Sequence, residues 1–145
     1  MISTSAQYED LKEMLFDEVI GVGVHRKVGV YNLDKRLVVK CAFECPNINV
    51  LEEEIWRMVK ETGIAKWFAP CMDISPCGIF LIQERVERKP KNEYPRYVPS
   101  FFGDCKYSNY GWIGEKFVCC DYAGFIITSM VHKWGGKLKK ANWWE

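Results

Sequence analysis

The sequence predicts an α+β fold, in which a five-stranded antiparallel sheet and one helix are followed by a strongly truncated second lobe that carries two loops with candidate functional residues. Three observations predict it. Residues 18–43 contain three β-rich runs separated by glycines and by a turn signal. Apolar residues then recur at helical spacing from about residue 49. Two further β-rich runs flank a tight turn with proline and glycine at residues 74–78.

The elements of the first part, residues 1–86, follow in chain order. A helix is expected at residues 7–17, before a three-stranded antiparallel meander at residues 18–43. Asn49 can cap the start of the next helix, because its side-chain oxygen can accept from a backbone N–H group of the first turn. The predicted buried face of that helix consists of Leu51, Ile55, Met58, Val59 and Thr62. Two strands and their hairpin at residues 74–78 complete the sheet.

Beyond the sheet, the sequence predicts a connector and a minimal second lobe within one domain of 145 residues. Residues 87–102 are polar and punctuated by prolines, so they are expected to connect the two parts. In residues 103–145, two short strands are expected on either side of a turn at Gly114, followed by a helix at residues 125–134. The basic run at residues 137–140 is expected to fray.

Composition excludes several classes of protein. An apolar content of 48% with 14% aromatic residues is typical of a folded globular chain. The formal charge of +1 provides no electrostatic reason to bind nucleic acid. No apolar run is long enough to span a membrane, and no signal-peptide pattern is present, so a cytoplasmic location is expected. The seven cysteines contain no C-x-x-C pair and are expected to stay reduced.

The most specific pattern lies in the second part. Asp104, Lys106 and Asn109 form D-x-K-x-x-N, and Asp121 follows in Asp-Tyr-Ala-Gly. Phosphoryl transfer from a nucleotide needs such groups. One carboxylate orients the attacking hydroxyl, and a lysine neutralises charge on the phosphoryl group. An amide oxygen and a second carboxylate hold Mg²⁺.

The order and spacing of these residues resemble the catalytic and metal-binding loops of protein kinases and their kinase-like relatives. The resemblance implies that Asp104 and Lys106 are catalytic and that Asn109 and Asp121 bind Mg²⁺. Gly103 precedes Asp104 where the regulated protein kinases have arginine, which is more similar to the aminoglycoside phosphotransferases.

Two features of the first part extend the resemblance. Gly21, Gly23 and Val28 stand as in the glycine-rich loop that covers ATP, in which glycines let backbone N–H groups approach the phosphates. Arg26 occupies the third glycine position of that loop. Lys40 follows two valines on the third strand and resembles the lysine that pairs with the α- and β-phosphates.

The resemblance also implies a partner for that lysine and an adenine site. Glu52 is the first choice for the partner, because apolar residues follow it at helical spacing, and Glu54 is the second choice. The three consecutive acids equally fit a charged first turn of a helix. The backbones of Glu84 and Val86 would hydrogen-bond adenine, with Gln83 as the gatekeeper beside it.

The chain is much shorter than a complete kinase. It has no room for an activation segment or a large helical subdomain, so it resembles the short kinase-like proteins of phage and bacterial genomes. Trp134, Trp143 and Trp144 are candidates to pack beneath the catalytic loop in place of the missing helices. Apolar surface left exposed by the missing lobe would favour a homo-oligomer.

The expected function is that of a minimal kinase, an ATP- and Mg²⁺-dependent phosphotransferase acting on a protein or small-molecule hydroxyl. The main alternative is a non-catalytic pseudokinase, which binds a nucleotide or a host or partner protein through the same scaffold. A plain interaction domain without a nucleotide is the third hypothesis. No membrane or nucleic-acid partner is expected.

Overall fold

The computed structural model describes residues 4–124 and 134–145 and shows an α+β protein. The helices in these residues are α1 (Thr4–Leu15) and α2 (Asn47–Val59). The strands are β1 (Val19–Val22), β2 (Lys27–Val30), β3 (Leu37–Cys41), β4 (Cys71–Ile74), β5 (Phe80–Glu84), β6 (Tyr97–Pro99), β7 (Tyr110–Ile113), β8 (Lys116–Cys119) and β9 (Leu138–Lys140). No helix in the described ranges combines the length and the apolar composition needed to cross a membrane. Most of the helix predicted at 125–134 lies outside the described residues.

The chain divides into two compact units. The first unit extends to Glu53 and resumes from Pro70 to Arg85, and the second comprises Glu54–Ala69 and Val86–Glu145. Residues 54–69, which begin with the second half of α2, thus belong to the second unit.

The first unit is built on a five-stranded antiparallel sheet with the order β1-β2-β3-β5-β4. The predicted meander at 18–43 and the predicted hairpin at 74–78 are both confirmed. Strand β3 lies at the centre, and its middle residues Val38, Val39 and Lys40 are all buried. A charged side chain on this strand is therefore held away from water.

Helix α1 ends against the first strands of the sheet. The ring of Phe16 lies directly on Gly29, where any β-carbon would come within 1.9 Å of a ring carbon. The side chain of Asn32 donates to the carbonyl of Met14 over 2.9 Å, and its backbone N–H donates to Leu15 over 2.8 Å. The last turn of α1 is thereby tied to the turn between β2 and β3.

Helix α2 begins at Asn47, so the prediction that Asn49 caps the helix is wrong. The buried Asn49 amide instead donates to the carbonyl oxygens of Lys40, Gly78 and Ile79, over 2.9, 2.9 and 3.0 Å. The two N–H donors of this amide are thus shared among three carbonyl oxygens at the end of the sheet, which a cap exposed to solvent could not do.

The buried face of α2 also differs from the prediction. Leu51 and Met58 are about half exposed, at 48% and 49%. The residues that are buried on this helix are Asn49, Glu52, Ile55 and Val59. The spacing of apolar residues predicted a face that includes Leu51 and Met58. This helix instead buries the amide of Asn49 and the carboxylate of Glu52, which have hydrogen-bond partners in the protein interior.

The second unit has two two-stranded sheets, β7-β8 and β6-β9. The predicted hairpin around Gly114 is confirmed, with Gly114 at a φ of 61°. The expectation that residues 137–140 fray is wrong, because β9 pairs with β6 from inside the predicted connector at 87–102. A strand partner was needed to order this basic segment, and the sequence alone did not reveal it.

Candidate functional site

The first unit brings Lys40 and Glu52 together as a buried ion pair. Lys40 stands on the central strand β3 and Glu52 on α2, and their side chains are 3% and 0% exposed. Lys40 Nζ donates to Glu52 Oε1. Of the two glutamates that the sequence left open as partners, Glu52 is the one beside the lysine, whereas Glu54 is exposed.

Two more side chains share the carboxylate of Glu52. Gln83 Nε2 donates to Oε1 over 3.1 Å. Arg26 NH1 lies 2.6 Å from Oε2 and also donates to the side chain of Asn49. One buried carboxylate therefore faces two cationic side chains, Lys40 and Arg26.

The glycines of the predicted ATP loop lie in the hairpin formed by β1 and β2. The backbone N–H of Gly23 donates to the carbonyl of Arg26 over 2.7 Å, which closes the turn. Gly21 pairs with Val28, and Val28 pairs with Lys40 on β3. Three of the predicted binding residues are therefore neighbours across adjacent strands.

The predicted adenine-binding residues stand at the end of β5 and just after it. The backbone N–H of Glu84 donates to the carbonyl of Pro70 over 2.9 Å. An adenine contact at Glu84 would therefore have to use its carbonyl oxygen. Val86, in the second unit, packs against a buried cluster that includes Ala69 and Val118.

The second unit positions the loop that carries Asp104 and Lys106. The hydroxyl of Tyr110, a fully buried residue, donates to the backbone carbonyl of Asp104 over 3.0 Å. The N–H of Asn109 donates to the carbonyl of Lys106 over 3.0 Å, at the end of a short 3-10 helix over Tyr107–Asn109. The backbone of the loop is thus fixed from below, while the Asp104 residue itself is exposed.

The candidate metal ligands Asn109 and Asp121 lie side by side. The carbonyl of Asn109 accepts from the N–H of Cys120 over 2.8 Å and is 3.4 Å from the N–H nitrogen of Asp121. An amide oxygen and a carboxylate are a donor set that fits Mg²⁺, which is usually bound by few protein oxygens and keeps several waters. No cluster of three or more His, Cys, Asp and Glu residues that could hold a metal ion occurs in the described ranges.

Two tail tryptophans contact the loop and its support. Trp143 packs edge-on against Tyr94, and its ring centroid lies 5.0 Å from that of Tyr110. The indole N–H of Trp144 donates to Asp104 Oδ1. The sequence suggested packing beneath the loop but gave no signal for this particular partner, because 40 positions separate the two residues.

Cys105, between the two candidate catalytic residues, is not suited to be a nucleophile. Burial raises the pKa of its thiol, so the reactive thiolate is disfavoured. All seven cysteines lie within the described residues, and they are thiols that are not joined in disulfides. The loop's chemistry therefore rests on its carboxylate and its lysine.

Comparison of the chain with protein-family models, with curated proteins and with solved structures found no match.

Proposed function

We propose that this chain is an ATP- and Mg²⁺-dependent phosphotransferase of the protein-kinase-like type, which acts on a hydroxyl of a protein or of a small molecule. The observation that carries the proposal is the buried pair of Lys40 and Glu52. It joins a strand lysine to a helix glutamate, as in the kinase pair that holds the nucleotide phosphates. The sequence surroundings of both residues also resemble those of that pair.

The presence of two cations beside Glu52 allows Lys40 to contact an anionic ligand as well. Arg26 already pairs with Oε2, so the carboxylate does not depend on Lys40 alone for a counter-charge. Lys40 can therefore turn part of its interaction toward phosphate oxygens without leaving Glu52 unpaired. This arrangement suits a polyphosphate.

In the proposed reaction, the acceptor hydroxyl oxygen forms a bond to the γ-phosphorus of ATP. The bond from that phosphorus to the β,γ-bridging oxygen breaks, and ADP leaves. Asp104 accepts a hydrogen bond from the hydroxyl and orients it, and the proton passes to Asp104 or to solvent. Lys106 neutralises negative charge on the transferring group. Asn109 and Asp121 would hold Mg²⁺, which neutralises charge on the phosphates when it is bound.

A non-catalytic nucleotide-binding module is the second candidate, and one observation favours it. Arg26 stands where the third glycine of an ATP loop is expected, and its side chain is directed to Glu52 and Asn49. A bulky side chain at this position restricts the close backbone approach that glycine allows. Such a loop could hold a nucleotide without aligning it for transfer.

The first test measures thermal unfolding with and without Mg·ATP. A ligand at about 100 times its dissociation constant stabilises the folded chain by about 2.7 kcal/mol. A gain that requires both Mg²⁺ and ATP would support nucleotide binding. An unchanged midpoint at millimolar Mg·ATP would contradict both candidate functions.

The second test compares Asp104→Asn with Asp121→Asn in binding and in transfer of radiolabelled phosphate. Asp104→Asn should abolish most transfer and leave Mg·ATP affinity nearly intact, because this carboxylate faces the acceptor. Asp121→Asn should weaken Mg·ATP binding as well. Binding without any transfer by the parent chain to itself, to added protein or to water would instead support the non-catalytic module.

A further inference from the structure

The segment formed by residues 141–145 runs beside the candidate catalytic loop. The N–H of Tyr107 donates to the carbonyl of Trp144 over 3.0 Å, and the N–H of Trp144 donates to the carbonyl of Cys105 over 3.2 Å. These bonds form a parallel β-bridge between Lys106 and Trp144. Backbone bonds to this segment therefore hold the loop in addition to the hydrogen bond from the Tyr110 hydroxyl.

The same segment contacts both functional side chains of the loop. The indole N–H of Trp144 donates to Asp104 Oδ1. Lys106 Nζ lies 5.5 Å from the centroid of the Trp144 ring and 3.4 Å from Glu145 Oε2. An indole N–H is a donor only, so Trp144 can orient the carboxylate without competing to accept the proton of a hydroxyl.

The segment is anchored in the second unit. Strand β9 pairs with β6, and the N–H of Ala141 donates to the carbonyl of Arg96 over 2.8 Å. Trp143 donates through its indole N–H to Pro95 over 2.8 Å and packs among the aromatic rings of Tyr94 and Tyr110. These contacts make the segment an integral part of the second unit.

We propose that Trp144 is the positioning residue of Asp104. It holds Oδ1 through its indole N–H, so that Oδ2 is presented to the acceptor hydroxyl. The proposal rests on the phosphotransferase function proposed above. A carboxylate has two oxygens, so one can be held by the protein while the other accepts from the substrate. Trp144 thereby lowers the orientational freedom that Asp104 would have as an exposed side chain.

The test compares Trp144→Phe with Trp143→Phe in the full chain, by steady-state transfer from Mg·ATP to the chain itself and to water. Each change removes one indole N–H and keeps an aromatic ring. Trp144→Phe should lower kcat roughly tenfold with an unchanged KM for Mg·ATP, as expected for the loss of one hydrogen bond to a charged group. Trp143→Phe should lower kcat less than Trp144→Phe, because it removes an anchoring bond to Pro95 but leaves the indole N–H that bonds to Asp104 in place.

A nuclear magnetic resonance measurement tests the contact without relying on activity. The ¹⁵N spectra of the parent and of Asp104→Asn are compared. The chemical shift of the Trp144 indole N–H should differ between them, while that of the Trp143 indole N–H should not. A stationary Trp144 resonance would overturn the proposal. So would a Trp144→Phe variant with unchanged kcat, or with increased kcat, which would identify the segment as an inhibitory cover. If the parent shows no transfer at all, the phosphotransferase function fails and the positioning role fails with it.

Discussion

Glu52 shows how one buried residue connects several elements. Its carboxylate receives Lys40 from β3, Gln83 from β5 and Arg26 from the start of β2, and it is itself 0% exposed. Such a group contributes little net stability compared with an apolar replacement, because its desolvation offsets much of the attraction. Removing the carboxylate is a different matter, since both cations then lose the anion that they share.

The first prediction follows from this asymmetry. Glu52→Gln should lower the free energy of unfolding by about 3–5 kcal/mol, because Lys40 and Arg26 lose their shared anion. Denaturant unfolding of the purified chain measures the change. Glu54→Gln, two positions along the same helix but exposed, is the matched control and should stay within about 0.5 kcal/mol of the parent. Equal effects of the two substitutions would show that Glu52 is not buried as described.

At the scale of elements, two hairpins with left-handed glycines differ in their surroundings. Gly78, between β4 and β5, has a φ of 81°, and an added β-carbon would lie 2.7 Å from Val50 Cγ2 and 3.2 Å from the carbonyl oxygen of Pro46. Gly114, between β7 and β8, has a φ of 61°, with no atom within 4 Å of an added β-carbon. Backbone strain acts at both positions, and crowding acts only at Gly78.

The second prediction separates these two effects. Gly114→Ala should cost about 1 kcal/mol of unfolding free energy, the penalty for a left-handed alanine. Gly78→Ala should cost roughly 2–4 kcal/mol, because a steric term is added in a packed environment. Gly114→Asn should recover part of the loss at Gly114, since asparagine tolerates this conformation. A larger loss at Gly114 than at Gly78 would contradict the packing described around the β4–β5 turn.

At the scale of the whole molecule, buried phenols link stability to pH. Burial is the main cause that raises the pKa values of both Tyr94 and Tyr110 above the usual range for tyrosine. Their hydroxyls remain protonated in the folded chain, where they donate to the carbonyls of Tyr110 and Asp104. The unfolded chain ionises its tyrosines near pH 10. The stabilising contribution is therefore complete below about pH 10 and is lost as the pH rises further.

The third prediction measures that loss. The free energy of unfolding should fall as the pH rises above about 10, by up to about 1.4 kcal/mol per pH unit for each buried phenol. Tyr110→Phe should reduce the slope of this decline, although it also lowers stability at neutral pH by removing the bond to Asp104. Tyr97→Phe, which changes an exposed ring, is the control substitution. Identical slopes in the parent and Tyr110→Phe would mean that this phenol ionises in the folded chain.

Local signals account for the parts of the fold that could be predicted from the sequence. The β-rich runs of residues 18–43 and the turn residues at 74–78 act over a few positions, and the strands formed where they were expected. The prediction of the buried helix face was wrong for Leu51 and Met58, since an apolar pattern cannot show that Asn49 and Glu52 have buried partners. The pairing of β9 with β6 was not predicted for a related reason, because the two strands are about 40 positions apart.

The sequence by itself determined the α+β class, the antiparallel sheet and the set of residues from which a phosphotransferase hypothesis can be built. Spacing along one strand or one loop carries that information, so it is readable without coordinates. Only the tertiary structure decided that Glu52 holds Lys40, that Arg26 shares the same carboxylate and that Trp144 reaches Asp104. These contacts join residues from 12 to 40 positions apart. They depend on how elements pack. At Glu52, the contacts are selected by the pairing of a buried carboxylate with buried donors, whereas the exposed contact of Trp144 with Asp104 depends on the β-bridge beside it.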